Sequence, residues 1–395
     1  MKRIYIDHNA TTPVHPEVMR EILPFFETDF GNPSSIHQYG QKAHYALEHA
    51  REQTAKLLNA SPGEIYFTSG GTEADNLAIK GTSSALQKHG NHIITSQIEH
   101  NAVLNPCKFL ESNGFKITYL PVDSTGVVKL DELKKALTDK TILVSIMTAN
   151  NETGTIEPVE EIGKIIKDFN LKTGSARRVL FHTDAVQAAG KIKLDVDKLN
   201  VDLLSISGHK INAPKGVGAL FVRKGTKMQP LLHGGHHEGN LRAGTENITG
   251  IVGLGKACEI ALNSLEKEST HLLKLRNKLW EGIVKNIEHI HLNTHPTQSL
   301  PNTLNLSFEY IEGESLLLNL DLKGIAASAG SACTSGNMEP SHVLSAMGVN
   351  PILAQGSLRF SLGLNNTEKD IDYIIETLPV IVAKLRAMSP LNKRQ

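Results

Sequence analysis

The sequence predicts an α/β fold with two domains, a large one on a mostly parallel sheet and a smaller α/β one. Its 395 residues exceed what one ordinary core contains. Between Glu64 and Val222, short β-branched runs alternate with longer helical patterns, which is typical of βαβ units. A long amphipathic helical pattern then begins near Ile248, and a second strand and helix alternation follows it.

The large domain is predicted over residues 14–260, and the small domain over residues 1–13 and 261–395 with an extended loop at about 328–340. The predicted strands of the large domain are 65–68, 92–95, 116–120, 142–147, 179–182, 202–205 and 218–222. The small domain is predicted to hold strands at 303–308 and 356–361 and helices at 312–320 and 368–388. Pro379 should kink or interrupt the last helix, because proline lacks the amide hydrogen.

Composition favours a small-molecule substrate. Lys plus Arg (41) balance Asp plus Glu (41), so no net field attracts nucleic acid or an anionic membrane. The longest apolar runs are far shorter than the roughly 20 residues that span a bilayer, so we expect no membrane segment. The first residues lack the apolar region of a secretory signal, so we expect a cytoplasmic protein.

In a parallel sheet, ligands bind beyond the carboxyl ends of the strands, where this sequence has Lys210 and Asp184. A lysine in a Gly-bearing turn can form a Schiff base with an aldehyde cofactor, although most lysines are simply solvated. A buried carboxylate such as Asp184 would keep the ring nitrogen of a pyridoxal cofactor protonated. Its alternative role is a helix N-cap. Together the two residues favour pyridoxal chemistry.

A second segment after a strand, Ser-Gly-Gly-Thr at 69–72, precedes a helical run. Its backbone N–H groups and the helix dipole could bind a cofactor phosphate, although the same residues also serve as the ordinary start of a helix. The chain has no Gly-x-x-x-x-Gly-Lys, and Cys258 stands where a third glycine of a dinucleotide motif would be. Kinase and dinucleotide chemistry are therefore disfavoured.

Histidines are numerous, and most of the 18 should be structural. His100 follows a predicted strand, so it could move protons or stack on a flat ring. His233, His236 and His237 crowd one segment with Glu238, but no helical His-Glu-x-x-His spacing exists. We therefore predict no metal site.

The three cysteines differ in their surroundings. Their odd number and wide spacing favour neither a disulfide framework nor a thiolate metal cage. Cys107 and Cys258 lie in helical patterns and are predicted to be core residues. Cys333 lies in a run of small residues on the extended loop, where an exposed thiol is a liability unless its reactivity is used. Cys333 is therefore the candidate nucleophile.

Seven motifs, in order along nearly the whole chain, resemble the cysteine desulfurases of the NifS/IscS type, which have the aspartate-aminotransferase-like fold of pyridoxal-phosphate transferases. They are Ala-Thr-Thr-Pro at 10–13, Gly-Asn-Pro-Ser-Ser at 31–35, Asn-Asn-Glu-Thr-Gly at 150–154, Ser-Gly-His-Lys at 207–210, Arg-Ala-Gly-Thr at 242–245, Gly-Ser-Ala-Cys-Thr-Ser at 330–335 and Arg-Phe-Ser at 359–361.

The resemblance implies a role for each candidate residue. Lys210 would form the Schiff base with pyridoxal 5'-phosphate, Asp184 would pair with its ring nitrogen, and Gln187 would donate to its ring hydroxyl. His100 would stack on the ring and move protons. The phosphate would be held by Gly71, Thr72, Ser207 and His209, joined by Thr245 from the second subunit of a homodimer. The substrate amino acid would be bound by Asn151, which also contacts the cofactor, and by Arg359, whose planar fork suits a carboxylate.

The activity that the resemblance implies is removal of sulfur from L-cysteine, giving L-alanine and a persulfide on Cys333. The sulfur would pass to an acceptor, in iron–sulfur cluster assembly or tRNA thiolation. The alternatives are a selenocysteine lyase or another class-V aminotransferase, and a subunit that only binds partners. Cys333 argues against the transaminase, and the presence of both Lys210 and Asp184 argues against the silent subunit.

Three positions depart from the pattern of these enzymes. His236 and Gly239 differ near the segment that leads to Thr245, so contacts to the phosphate or between subunits could differ there. Ala329 replaces a common serine just before the cysteine loop, which could change how that loop is anchored.

Overall fold

Strands and helices alternate along the chain in this computed structural model, which describes residues 3–174, 178–329 and 340–390. The strands are β1 Ile4–Tyr5, β2 Ile65–Thr68, β3 His92–Ser96, β4 Lys116–Leu120, β5 Thr141–Ser145, β6 Leu180–Asp184, β7 Leu203–Ser207, β8 Gly218–Val222, β9 Ile290–Leu292, β10 Thr303–Phe308, β11 Ile325–Ala326 and β12 Ser357–Ser361. The α-helices are α1 Pro16–Ile22, α2 Pro24–Glu27, α3 Gln38–Leu58, α4 Gly71–Asn76, α5 Thr82–Leu86, α6 Asn101–Glu111, α7 Leu130–Ala136, α8 Val159–Thr173, α9 Ile248–Asn286, α10 Gly313–Leu322, α11 His342–Ala346, α12 Pro351–Gln355 and α13 Glu368–Met388.

The large sheet has seven strands in the order β2-β8-β7-β6-β5-β3-β4. Strand β8 runs antiparallel to β2 and β7, and the other neighbouring pairs are parallel. The prediction of a mostly parallel sheet is therefore confirmed. Because the carboxyl ends of β3, β5, β6 and β7 lie at one edge, the loops that follow these strands are brought together there.

Both faces of this sheet are covered by apolar side chains, as expected for parallel strands buried between helices. Successive residues of a strand point to opposite faces. Val144 and Phe221 therefore join the core that α3, α8 and α9 cover, whereas Leu143 and Leu220 join the core with α4 and α6. Burying such a side chain stabilises the fold by about 1.5–3 kcal/mol, so the sheet is a rigid support for its loops.

Two strands lie further towards their carboxyl ends than predicted, and a third ends earlier than predicted. Strand β6 ends at Asp184 and β7 at Ser207, beyond the predicted ends at 182 and 205. Strand β5 ends at Ser145, although Ile146 and Met147 beyond it are buried. Apolar runs indicate burial, whereas a strand is defined by backbone pairing, so polar residues can extend it and apolar ones can lie outside it.

A three-stranded antiparallel sheet, β12-β10-β9, and the parallel pair β1-β11 form the second layered region. Ile4 and Ile6 are buried in the same core as Phe308 and Phe360, so the first residues pack with this sheet as predicted. The division into residues 14–260 and the remainder stays a prediction.

Helix α9 contributes to both regions. Leu254 packs in the core of the large sheet, and Leu279 packs with the small sheet. By length and composition this helix could cross a membrane, but half of its most apolar window is buried inside the protein, as in the core helix of a soluble protein.

Helix α13 continues through Pro379 from Glu368 to Met388, so of the two predicted outcomes at this proline, a kink or an interruption, the interruption is wrong. Leu378 and Ile381, on either side of Pro379, are buried in the core. Tertiary packing therefore compensates for the hydrogen bond that Pro379 cannot donate.

A buried ion pair joins α3 to the edge of the large sheet. The Arg51 guanidinium donates to both carboxylate oxygens of Glu238 at 2.8 and 2.9 Å and to the carbonyl of Ile65 at 2.8 Å, and the Phe67 N–H also donates to Glu238. We expect Glu238→Ala to lower the free energy of unfolding by about 3 kcal/mol, because the Arg51 guanidinium loses the buried carboxylate that accepts two of its N–H groups. Glu48→Ala, which removes only the exposed partner of Arg51, should cost at most about 1 kcal/mol.

Urea denaturation of the two variants at equal protein concentration measures this difference. Equal stability of the Glu238 and Glu48 variants would contradict the expected contribution of the buried pair.

Candidate active site

One pocket of about 350 Å³ lies at the carboxyl edge of the large sheet. Predicted site residues from several loops line it together: Gly71, Thr72, His100, Asn151, Asp184, Gln187, Ser207, His209, Lys210 and Arg359. Two predicted residues are not among them. Thr245 is exposed and lies outside the pocket of this single chain, and Cys333 lies outside the described residues.

Lys210 is half-buried in a 3₁₀ turn, Gly208–Lys210, directly after β7. Its Nζ donates to the carbonyl oxygens of Asn9 and Ala10. Burial lowers the pKa of Lys210 to about 8, and the Arg359 guanidinium acts in the same direction. An amine with this pKa is partly unprotonated near neutral pH, which a nucleophilic lysine requires.

Asp184 is the last residue of β6 and is buried. Its Oδ1 accepts a hydrogen bond from the N–H of Val186 at 2.8 Å. Burial raises the pKa of Asp184, and the Val186 N–H, His100 and Lys210 oppose that rise. A buried carboxyl group of this kind is stabilised by a cationic ring nitrogen, so the position suits a pyridinium partner.

The start of α4, with the glycine pair Gly70 and Gly71, also contributes to the pocket. Gly70 has φ 155°, a backbone conformation that side-chain-bearing residues rarely adopt. A Cβ atom on Gly71 would lie 2.8 Å from Cγ2 of Val186 and 3.4 Å from Cβ of Ser207, so only glycine fits between them. His209 approaches Thr11 Oγ1 at 3.2 Å, and burial lowers the pKa of His209 to about 4. His209 is therefore a neutral hydrogen-bonding group at pH 7.

His100 is the N-cap residue of α6 and lines the pocket. Its Nδ1 accepts the N–H of Ala102 at 3.1 Å, so the proton of the neutral ring is on Nε2. The pKa of His100 is lowered, chiefly by burial, while Asp184 acts in the opposite direction. A neutral imidazole beside Lys210 and Asp184 can donate from Nε2.

Arg359, in the middle of β12, brings a buried guanidinium to the same pocket. It donates to Asp7 Oδ1 at 2.7 Å and to the carbonyl of Asn151 at 2.9 Å. Its Nε is buried without a hydrogen-bond partner among the described residues. The guanidinium is thus held in place by two of its five N–H groups, which leaves others to bind a carboxylate.

Sequence reasoning missed several groups that line or support the pocket. The Asn9 carbonyl accepts from both Lys210 Nζ and Gln187 Nε2, and the Asn9 side chain donates to Thr303 Oγ1 at 2.9 Å. Asp75 and Glu152 also line the pocket. The motif at 10–13 lies directly after Asn9 and was the one signal for this segment, whereas no pattern pointed to Asp75.

The structure also describes the three positions that depart from the family pattern. Ala329 lines the pocket, Gly239 has φ 59°, and His236 Nδ1 contacts Asn240 Oδ1. In the described ranges, no group of three His, Cys, Asp or Glu residues is arranged to hold a metal ion. Cys107 and Cys258 are both buried free cysteines, as predicted for core residues.

Comparisons with known proteins agree with this geometry. The family model for aminotransferase class-V matches residues 4–374. A protein of Methanosarcina thermophila named cysteine desulfurase IscS is 56% identical over 100% of this chain and 95% of its own length. A solved NifS-like protein superposes with a TM-score of 0.91 at 45% identity, covering 97% of this chain and 100% of that one. The solved structure of SspA in complex with cysteine has a TM-score of 0.80 at 37% identity, covering 91% of this chain and 99% of that one.

The seven motifs, the pocket that joins Lys210 to Asp184 and the full-length similarity agree with one another. The chain belongs to the aminotransferase class-V family and, within it, to the cysteine desulfurases of the NifS/IscS type.

Proposed function

We propose that this pyridoxal-phosphate-dependent cysteine desulfurase acts through Lys210, Asp184 and Cys333, converting L-cysteine to L-alanine and leaving the sulfur as a persulfide on Cys333. The observation that carries the proposal is the convergence of Lys210 and Asp184, from the ends of two neighbouring strands, on one pocket that also contains Arg359. The cysteine in complex with the similar protein SspA supports the choice of substrate.

The pocket fits the cofactor on observations of its own. Gln187 Oε1 is a buried polar atom with no hydrogen-bond partner among the described residues, and Gln187 lines the pocket. Such atoms are costly unless a bound group satisfies them. Gly71 and Thr72 also line the pocket at the start of α4, where the backbone N–H groups of a first helical turn suit a phosphate.

Each cofactor contact would then come from a named side chain. Lys210 would hold the aldehyde carbon, Asp184 the ring nitrogen, and Gln187 the ring hydroxyl. The phosphate would be bound by Gly71, Thr72, Ser207 and His209. When bound, pyridoxal phosphate supplies an electron sink that loosens bonds at the Cα and Cβ atoms of the amino acid it carries.

The remaining roles belong to the protein's own groups. Arg359 would bind the substrate carboxylate, with Asn151 beside it. Lys210 is the base that takes the Cα proton, because its lowered pKa, about 8, leaves part of the amine unprotonated. His100 would stack on the cofactor ring and move protons, starting as a neutral imidazole that donates from Nε2.

The Cys333 thiolate would attack the substrate sulfur. A sulfur–sulfur bond forms, the bond between substrate sulfur and Cβ breaks, and protons return to Cα and Cβ to give alanine. No external oxidant is needed, because the sulfur oxidised at Cys333 is balanced by the reduction at Cβ. The persulfide must be discharged before the next turnover, which supports transfer to an acceptor such as an iron–sulfur scaffold or a tRNA-thiolation protein.

A homodimer is part of the proposal, with Thr245 reaching the phosphate of the partner subunit. Thr245 is exposed in the single chain. In the single chain, residues 26–45 expose large apolar side chains, which is typical of a surface that a second subunit covers. They are Phe26, Phe30, Ile36, Tyr39 and Tyr45.

The free thiols of Cys107 and Cys258 support a reducing, cytoplasmic location.

Asp184→Asn tests the cofactor site. Asparagine can still accept the Val186 N–H, so we expect the fold to be kept, but a neutral amide does not stabilise a protonated ring nitrogen. Alanine release from L-cysteine should fall by roughly 10²-fold or more, with a changed absorption spectrum of the bound cofactor. Asp131→Asn, on the exposed surface of α7, is the matched control. Full activity of the Asp184 variant would show that the ring nitrogen pairs with another group.

A further inference from the structure

After the cysteine stretch, the described chain contacts the wall of the pocket at Ser341. Ser341 is buried and is the N-cap residue of α11. Its Oγ accepts the N–H groups of Val343 at 3.1 Å and Leu344 at 3.2 Å. Because both of these bonds use the oxygen as acceptor, the hydroxyl proton is free to be donated, and Ser341 donates it to Glu152 Oε2.

Glu152, the acceptor of that bond, is fixed in the wall of the pocket. Its N–H donates to Asn150 Oδ1 at 2.8 Å, and its carbonyl accepts from Asn305 Nδ2 at 3.0 Å. The carboxylate is buried, and burial raises the pKa of Glu152 to about 7 although Ser341 and Arg359 oppose the shift. A buried carboxylate held at its backbone on both sides is a rigid point of attachment.

A second bond lies beside the first. His342 Nε2 is 2.9 Å from the carbonyl oxygen of Glu99, and because a carbonyl only accepts, the imidazole donates. Glu99 directly precedes His100, and its own carboxylate accepts from Ser96 at 2.6 Å and from the Met147 N–H at 3.0 Å. Ser341 and His342 therefore attach to two different loops of the pocket.

The chain before the cysteine stretch is attached as well. The Arg359 N–H donates to the Ser328 carbonyl at 2.7 Å, and the Ser328 N–H donates to the Arg359 carbonyl at 3.3 Å. The described residues on both sides of the stretch that contains Cys333 are thus bonded to walls of the substrate pocket.

We propose that Glu152 and Ser341 are a positioning pair for the sulfur-transfer step, because their bond attaches the described chain that follows Cys333 to the wall of the pocket. The inference rests on the proposed function, in which Cys333 receives the sulfur. Fixing both ends of a chain segment limits the conformations available to it and raises the local concentration of a group that it carries. Loss of the bond therefore lowers the rate of transfer to Cys333 and leaves substrate binding unchanged.

The test compares two readouts in the holoenzyme. One is the single-turnover rate at which Cys333 gains sulfur from L-cysteine, followed by rapid quenching and mass spectrometry. The other is the apparent dissociation constant of L-cysteine, from the change in cofactor absorption. In Ser341→Ala and Glu152→Ala we expect the loading rate to fall roughly tenfold, the effect of losing a hydrogen bond to a buried charged group, with the dissociation constant changed less than about twofold.

Conservative variants and a cap control separate this role from general stability. Ser341→Thr retains the hydroxyl and Glu152→Gln retains an acceptor oxygen, so both should restore most of the loading rate. Asn350→Ala removes a comparable N-cap from α12, where Asn350 Oδ1 accepts the Ile352 N–H at 2.9 Å, and should load at the wild-type rate.

The outcomes are distinct. Wild-type loading rates in both alanine variants would overturn the inference. A dissociation constant that rises in step with the loss of rate would also overturn it, since Glu152 would then be a substrate-binding residue. If Glu152→Ala fails to fold, the comparison of Ser341→Ala with Ser341→Thr decides. Wild-type enzyme that turns over without sulfur on Cys333 would instead overturn the proposed function, and that result is obtained before any variant is made.

Discussion

Replacing Lys210 with alanine is expected to abolish alanine release from L-cysteine while the fold is retained. Lys210 Nζ donates only to the two backbone carbonyls of Asn9 and Ala10 among the described residues, so its loss removes little stability. It does remove both the nucleophile for the cofactor aldehyde and the base for the Cα proton. We expect turnover to fall by roughly 10³-fold or more, measured as alanine formed per enzyme.

Lys215→Ala is the control for this variant, because Lys215 is exposed on the same loop and has no place in the pocket. It should keep wild-type turnover. Turnover retained in Lys210→Ala would mean that another lysine attaches the cofactor, for which the half-buried Lys191, with a pKa lowered to about 7 chiefly by burial, is the alternative.

Replacing Cys333 with alanine should have an equally large effect on a different step. The variant should bind the cofactor and L-cysteine as the wild type does, because the residues proposed for both lie in the described pocket. Sulfide release in the presence of a thiol reductant should fall by roughly 10³-fold, since no thiolate remains to attack the substrate sulfur.

The other cysteines supply matched controls. Burial raises the pKa of both Cys107 and Cys258 to about 12, so neither forms a thiolate at neutral pH. Cys107→Ala and Cys258→Ala should lose some stability but keep sulfide release per folded enzyme. Undiminished release by Cys333→Ala would show that a different group receives the sulfur.

Local patterns predicted much of the fold because most strands coincide with a short run of apolar residues. The apolar runs of β2, β4 and β8 match their predicted ends, whereas β6 and β7 extend by two residues each and end in polar residues that no apolar pattern includes. Those polar extensions are the site itself, since Asp184 and Ser207 are the last residues of these strands. Boundaries were therefore least predictable where the strands end at the pocket.

The convergence of Lys210 with Asp184 was predictable from one rule, that parallel strands end at the same edge. The contact between the Asn9 carbonyl and Lys210 was not predictable from the sequence. This carbonyl reaches Lys210 only because β1 pairs with β11 and carries the first residues across to the pocket. Such contacts depend on tertiary packing over long sequence separations, which a single sequence read locally does not contain.

The interruption predicted at Pro379 does not occur, and the reason is related. Helix propensity predicts a break, but burial of Leu378 and Ile381 beside the proline outweighs one missing hydrogen bond. Glu152 was recognised only as part of a motif, because its bond to Ser341 joins residues far apart in sequence. The resemblance gave residue roles that geometry alone would not have supplied, including those of Thr245 and Cys333.

In the proposed reaction, sulfur leaves L-cysteine for Cys333 in a pocket organised by Lys210 and Asp184. Peptide mass spectrometry of holoenzyme treated with L-cysteine, alkylated before digestion, detects this transfer. The peptide containing Cys333 should gain the mass of one sulfur atom, and this gain should disappear in Lys210→Ala. Added sulfur on the peptides of Cys107 or Cys258 instead, or continued alanine release with no sulfur on Cys333, would contradict it.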